Sequence, residues 1–271
     1  MRKALCLAAV TAATAFLGGG SATAVVGGTD DTTGRFPQVG VLQGQFEPGG
    51  WFDFCSGTLV RPNVVLTAAH CVDFLVEVGD DGLGPGDLRI SFDAAPGAGS
   101  VYHYVDHIAV PPEWFEAGPC FGNSKQACLS PGHEDLALVW LQEDATGITP
   151  ATIAEAGYLD SRRVRSSTFT VVGYGVDEFI TGSFASPRAI FIVDGIRSYR
   201  DATLITKQDL FPDRFIKITK SVCFGDSGGP VFHRGKIVAL NTWTFSYRCD
   251  GPNLEYRVDS APAQAFLDAN L

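Results

Sequence analysis

CSGTLVRPNVVLTAAHC, residues 55–71, decides the fold class. Cys55 to Val60 and Val64-Val65-Leu66 are short apolar and β-branched runs, parted by the turn cluster Arg61-Pro62-Asn63. Working outward, the same alternation of short runs and turns returns at Val39-Gly40-Val41-Leu42, Leu136 to Leu141, Phe169 to Val172, Ala189 to Val193, Phe215 to Ile218, Pro230 to Phe232 and Ile237 to Leu240. Short strands so spaced predict an all-β sandwich or barrel, and no helical crossovers of a parallel α/β fold stand between them. The end of the chain differs. Ser260 is placed to cap an amphipathic helix through Ala263, Phe266 and Leu267.

Composition narrows the function classes. With 45% hydrophobic and 18% charged residues, the 271-residue chain buries a core rather than staying disordered. Its 31 Gly and 15 Pro suit turns, not a helical bundle. A net charge of −10 is the wrong sign for a nucleic-acid binder. Residues 1–24 read as a secretory signal peptide: Met1-Arg2-Lys3, an uncharged run from Ala4 to Gly20, then Ala22-Thr23-Ala24. The run is too short to span a membrane. Export without Arg2 and Lys3 leaves 18 basic against 30 acidic side chains, a net charge of −12.

Cys6 leaves with the signal, and Cys55, Cys71, Cys120, Cys128, Cys223 and Cys249 remain, an even count that in an exported chain reads as disulfides. No C-x-x-C pair favours a metal, and spacing leaves all pairings open. Cys120 and Cys128 lie close enough in the segment 111–133 for a local staple. The segments 78–87 and 94–100 read as loops, and the acids Asp80, Asp81 and Asp87 as solvated rather than calcium-binding. His103 and His107 fall in a strand-like run, where four-residue spacing does not converge on a metal. Neither a metal nor a cofactor is expected.

The chemistry concentrates in Gly225-Asp226-Ser227-Gly228-Gly229-Pro230. A serine hydroxyl attacks a carbonyl only when a base takes its proton and donors hold the resulting oxyanion, and flanking glycines let backbone N–H groups come close. The G-x-S-x-G pattern also fits a nucleophile elbow, but an elbow needs a following helix and an acid and histidine downstream. Here Pro230-Val231-Phe232 continues as strand. The base is therefore sought upstream, at His70 in TAAHC (67–71), with Asp135 in Glu134-Asp135-Leu136-Ala137-Leu138 as the acid.

Taken together, Val25-Val26-Gly27-Gly28, TAAHC, Asp135-Leu136-Ala137-Leu138, Val172-Gly173-Tyr174-Gly175, GDSGGP and Trp243 resemble the chymotrypsin/trypsin-like serine proteases along essentially the whole segment 25–271. Their order His, Asp, Ser is that family's. The resemblance, which has a bacterial look, implies two packed six-stranded antiparallel β-barrels with a C-terminal helix and an active site between the lobes. It implies Ser227 as nucleophile, His70 as base and then acid, Asp135 as the group orienting His70, and the N–H groups of Gly225 and Ser227 as oxyanion hole. It also implies the disulfides Cys55–Cys71 and Cys223–Cys249, leaving Cys120–Cys128 as the third.

By the same resemblance, a newly cut Val25 ammonium pairs with Asp226, and signal removal after Ala24 would itself expose that end. The substrate pocket aligns Ser221 at its base and Thr244 and Asn253 on its walls, beside Trp243, which favours small or medium uncharged side chains over Lys or Arg. Thr242 takes the place of a serine whose hydroxyl bonds the acid. The expectation is a secreted, monomeric serine endopeptidase acting on proteins or peptides, without nucleic-acid or membrane partners. The alternative is a catalytically idle homologue serving as a binding module.

Overall fold

The computed structural model describes residues 24–47, 50–76, 82–117, 133–181, 190–205 and 213–271. Residues 1–23, with most of the expected signal peptide, and the Cys120–Cys128 segment lie outside the described residues. Among the described residues sixteen strands follow in chain order: β1 Thr29–Asp30, β2 Val39–Glu47, β3 Gly50–Arg61, β4 Val64–Thr67, β5 Leu88–Ser91, β6 His103–Ala109, β7 Ala137–Leu141 and β8 Thr152–Ile153. The second half holds β9 Thr168–Gly173, β10 Glu178–Thr181, β11 Ile190–Ile192, β12 Ser198–Thr203, β13 Phe215–Ile218, β14 Pro230–His233, β15 Lys236–Thr244 and β16 Asn253–Arg257.

Strands β2-β3-β4-β7-β6-β5 close into a six-stranded barrel. Both faces of its central runs are apolar because each strand has a barrel interior on one side and the second half of the molecule on the other. Leu42, Leu59, Val65, Ile90 and Val139 fill the interior. Val39, Val41, Val60, Val64, Leu66 and Leu138 point outward into a shared cluster with Phe232, Leu240, Leu254 and Tyr256. This explains why Val64–Leu66 and Leu136–Leu141 read as unbroken apolar runs rather than alternating ones.

For the second half, the expected closed barrel is not confirmed among the described residues. This half is an eight-stranded sheet in which β1-β12-β9-β14-β15-β16-β13 form a path and β8 joins β15 in parallel, while β10 and β11 pair apart from it. At the far end of the path β13 meets the end of β12: Leu204 and Ile218 bridge antiparallel, Thr219 N–H donates to Thr203 O at 2.9 Å and Ile205 N–H to Lys217 O at 2.8 Å. The C-terminal helix Ala261–Asn270 stands where the sequence places it. Ser260 Oγ accepts the Ala263 N–H at 3.3 Å, satisfying one of the orphan donors of the first turn, and Ala263 and Leu267 are buried against the sheet.

A buried polar hub joins the halves. Arg197, 2% exposed, donates from Nε to Asp31 at 2.8 Å and from Nη1 to Val39 O, Phe92 O and the Tyr174 hydroxyl. Asp31 in turn accepts the N–H groups of Arg35 and Phe36. The Asp31 carboxylate and these oxygen acceptors on Nε and Nη1 are what let a guanidinium stay inside.

Candidate active site

Strand register brings His70 and Asp135 together. β4 and β7 are antiparallel neighbours with Thr67 opposite Ala137, so the residue three beyond Thr67 and the residue two before Ala137 leave the barrel at the same end. The Asp135 carboxylate then grips His70 twice: Oδ2 lies 2.8 Å from ring Nδ1, and Oδ1 accepts the His70 backbone N–H at 3.0 Å. With a carboxylate facing it, Nδ1 carries the proton and Nε2 is left basic. Burial works to lower the His70 pKa, but the charge and hydrogen bond of Asp135, with Asp73 behind them, outweigh it and the net shift is upward.

Ser227 comes from the other half, three residues before β14, and is docked on the barrel by its backbone. Its carbonyl accepts the Ser56 N–H at 2.8 Å and lies 3.7 Å from Cys71 Sγ, next to His70. At Gly228, φ is +78°, and an added Cβ would stand 2.0 Å from Thr67 Oγ1 and 2.5 Å from Ser56 O. Only glycine lets the serine turn approach the end of β4 at Thr67, three residues before His70.

The turn ahead of Ser227 is pinned on several sides. Val176 N–H donates to Phe224 O at 2.8 Å, and in a planar trans peptide this aims the Gly225 N–H the opposite way. Ser56 Oγ donates to Gly225 O at 2.9 Å and accepts the Tyr174 N–H. Neither the Gly225 nor the Ser227 N–H is taken by another group among the described residues. Asp226 is fully buried, accepting Gly175 N–H at 2.9 Å and Cys223 N–H at 2.7 Å, and burial pushes its pKa up to about 8 against those bonds. The glycines of Val172-Gly173-Tyr174-Gly175 make room for it: a Cβ on Gly173 would meet Asp226 Oδ1 at 2.2 Å. Val25 is buried in the same apolar cluster as Val222, four residues before Asp226.

The expected pocket residues gather, with two changes of role. Ser221 is fully buried, and Asn253, expected on a wall, lies beneath it: Asn253 Oδ1 accepts the N–H groups of Ser221 at 2.9 Å and Val222 at 3.2 Å, while Nδ2 donates to Val222 O. Thr242 does not bond Asp135. Its hydroxyl donates to Leu240 O and accepts the Tyr256 N–H, because β15 bulges here and the hydroxyl serves the interrupted ladder. Thr244 Oγ1 bonds within its own turn, to Ser246. Trp243 packs against the clusters of both halves.

Two disulfides brace these segments, Cys55–Cys71 beside His70 and Cys223–Cys249 beside the pocket, as the resemblance implied. Ligand atoms of Cys55, His70 and Cys71 lie within 4.8 Å of one another, but the two sulfurs are bonded together and offer no thiolate to a metal. His103 and His107 stand on β6, His107 stacked on Trp140. Asp87 Oδ2 accepts the Gly84 N–H in the loop before β5, and Asp80 and Asp81 fall outside the described residues.

Over residues 25–266 the chain matches the family model described as Trypsin. The chain belongs to the trypsin family. Chymotrypsin-like elastase family member 1 of Canis lupus familiaris is 30% identical over 221 residues, covering 76% of this chain and 74% of that protein. The Felis catus protein of the same name is 43% identical over 228 residues, covering 76% and 72%. Chymotrypsin-C of Rattus norvegicus is 30% identical over 225 residues, covering 77% and 72%. These mammalian enzymes do not bear out a bacterial look. Human heparin binding protein (CAP37) superposes with a TM-score of 0.63 at 16% identity over 90% of this chain and 95% of that one, a likeness of fold.

Several residues of this trypsin-family site escape sequence reading. Ser56 ties the barrel to the serine turn through both its backbone and its hydroxyl. Asp73, whose carboxylate accepts the Trp114 indole N–H at 2.8 Å, stands behind His70. Glu255 is buried on β16 with Oε2 accepting the Thr242 N–H at 2.8 Å. An alternation of Leu254 and Tyr256 with polar neighbours was the available signal for that last strand.

Proposed function

We propose that the protein is a secreted serine endopeptidase that cleaves peptide bonds through Ser227, His70 and Asp135. The observation that carries this is the double grip of Asp135 on His70 at the barrel end where the Ser227 turn is docked. Ser227 Oγ attacks the substrate carbonyl carbon and passes its proton to His70 Nε2. The imidazolium is stabilised by Asp135, and the oxyanion by the Gly225 and Ser227 N–H groups. His70 then protonates the leaving amine, and water, activated by the same imidazole, releases the acyl group.

Activation follows from the buried acid. A buried carboxylate is ionised at least cost beside a cation, and the Val25 ammonium freed by signal removal after Ala24 supplies one to Asp226. Residues 1–24 act as signal and 25–271 as the protease domain, working as a monomer outside the cell. No helix among the described residues is long and apolar enough to cross a membrane. At the pocket base Ser221 brings no charge and Thr244 stands where a glycine would open the wall, which favours small or medium uncharged side chains on the acyl side of the cut bond.

The test is active-site labelling of the chain beginning at Val25 with a sulfonyl fluoride or organophosphonate. Stoichiometric modification of Ser227, absent in Ser227→Ala, is the expected result. A folded chain that stays unlabelled would instead be an idle homologue.

A further inference from the structure

Glu255 stands beside the proposed pocket with a carboxyl that the proposed mechanism leaves unused. Along β16, Leu254 and Tyr256 face the apolar cluster, so Asn253 and Glu255 share the opposite face. Asn253 on that face clamps Ser221 and Val222 from below. Two residues on, Glu255 reaches across to the bulge in β15, where Oε2 accepts the Thr242 N–H that the shifted register leaves without a ladder partner. The carboxyl is thus anchored to the segment 242–244, the wall of the proposed pocket, on the same face of β16 as the Asn253 that holds its base.

Its other oxygen, Oε1, is buried and has no hydrogen-bond partner among the described residues. Nor does any ion pair among the described residues include Glu255. An ionised carboxylate so enclosed costs far more than a neutral acid, and the charged neighbour within range, Asp226, adds repulsion. Burial accordingly drives the Glu255 pKa well above the ordinary carboxylate range, against the pull of the Thr242 N–H. Since Oε2 acts as the acceptor, the proton belongs on Oε1, where it is a donor lacking an acceptor. A carboxylic acid kept neutral by its surroundings so that it can donate is an established device in enzyme sites.

We propose that Glu255 is a specificity-determining residue of the pocket, a neutral acid whose Oε1–H donates to an uncharged polar side chain (Gln, Asn, Ser or Thr) on the acyl side of the cut bond. This rests on the serine-protease reading above and sharpens its uncharged preference into a polar one.

The experiment uses the chain beginning at Val25 and peptide substrates that differ only at that position, Gln against Met, Asn against Leu, and Lys, at pH 7. Gln is expected to exceed Met in kcat/KM on the order of tenfold, the worth of one neutral hydrogen bond in a closed pocket. Glu255→Gln should keep that ratio, since its amide supplies the same acceptor to Thr242 and the same donor to substrate. Glu255→Leu should bring the ratio toward one. A Gln-to-Met ratio near one in the unaltered enzyme overturns the proposal even if the Leu variant fails to fold. So does a Lys preference lost in Glu255→Gln, which would mean an ionised carboxylate. An unaltered enzyme that cleaves peptides and labels at Ser227 yet shows no such ratio separates this failure from failure of the protease reading itself.

Discussion

Replacing Gly228 by alanine tests how the serine turn is held against the barrel. Two costs add at this position. The backbone has φ of +78°, where an L-residue with a Cβ is disfavoured by about 1–2 kcal/mol. The new methyl would also lie 2.0 Å from Thr67 Oγ1, 2.5 Å from Ser56 O and 2.8 Å from Ala68 N. None of these can retreat cheaply, because Thr67 is fully buried with its hydroxyl already bonded to Ser56 O. Overpacking against such atoms costs about 1–3 kcal/mol. Gly235→Ala is the matched control: φ is again +78°, but nothing lies within 4 Å of its Cβ. The expected loss is about 2–5 kcal/mol for Gly228→Ala and about 1–2 kcal/mol for Gly235→Ala, and unfolded-chain entropy changes alike in both. Urea unfolding midpoints measure the difference. The rate of Ser227 labelling should fall on the order of a hundredfold for Gly228→Ala alone, since the strain is relieved by moving the nucleophile away from His70. Equal destabilisation of the two variants, or an unchanged labelling rate at Gly228→Ala, would refute the close docking.

The remaining predictions concern charge. Because the His70 pKa is raised, its imidazole stays protonated to higher pH, so labelling of Ser227 should appear on a limb above the ordinary histidine value near 6.5, and Asp135→Asn should move that limb down. In the precursor carrying residues 1–24, Asp226 is raised to about 8, so between an unfolded pKa near 4 and that value the folded chain holds the extra proton and stability falls as pH rises. Asp177, also raised to about 8 by burial and by Asp194, tilts the same way, and Asp226→Asn should flatten the slope of precursor stability against pH. Arg197→Met strands the buried Asp31 carboxylate and should cost about 3–5 kcal/mol in urea unfolding, part of it recovered by adding Asp31→Asn.

What the sequence reveals is what chemistry restricts to one residue type. His70, Asp135, Ser227 and the glycines around Asp226 and Ser227 are legible because substitution there breaks a proton path or inserts a Cβ into occupied space. Strands such as β4 are legible because both faces are buried and the run is apolar throughout. β12, reading SYRDAT, and β16, reading NLEYR, hide because polar residues break the apolar pattern, and some of these, Ser198, Asn253 and Glu255 among them, are buried on partners outside their own strand. Arg197 and Asp31 illustrate this: 166 residues separate them, and neither carries a local sign of the other. Thr242 differs from its expected role for a related reason. Its hydroxyl follows a bulge, and a bulge is a property of two strands in register rather than of one.

The proposed nucleophile and its base come from different halves, whereas the proposed pocket belongs to one. Ser56, Thr67, His70 and Asp135 stand on the barrel, and Gly225 to Gly229 approach them mainly through backbone atoms. Ser221, Thr242 to Thr244, Asn253 and Glu255 all lie in the second half, tied to one another by side-chain bonds within that half. Changes of side chain in the pocket therefore alter which bond is chosen without moving Ser227 relative to His70, whereas a single methyl at Gly228 moves Ser227 while leaving the pocket's own bonds intact. The two should separate in kinetics, Glu255→Leu changing the ratio between substrates and Gly228→Ala lowering the rate for all substrates alike. Loss of both together from either change would mean that the halves share one mechanical unit, contrary to the bonding that divides them.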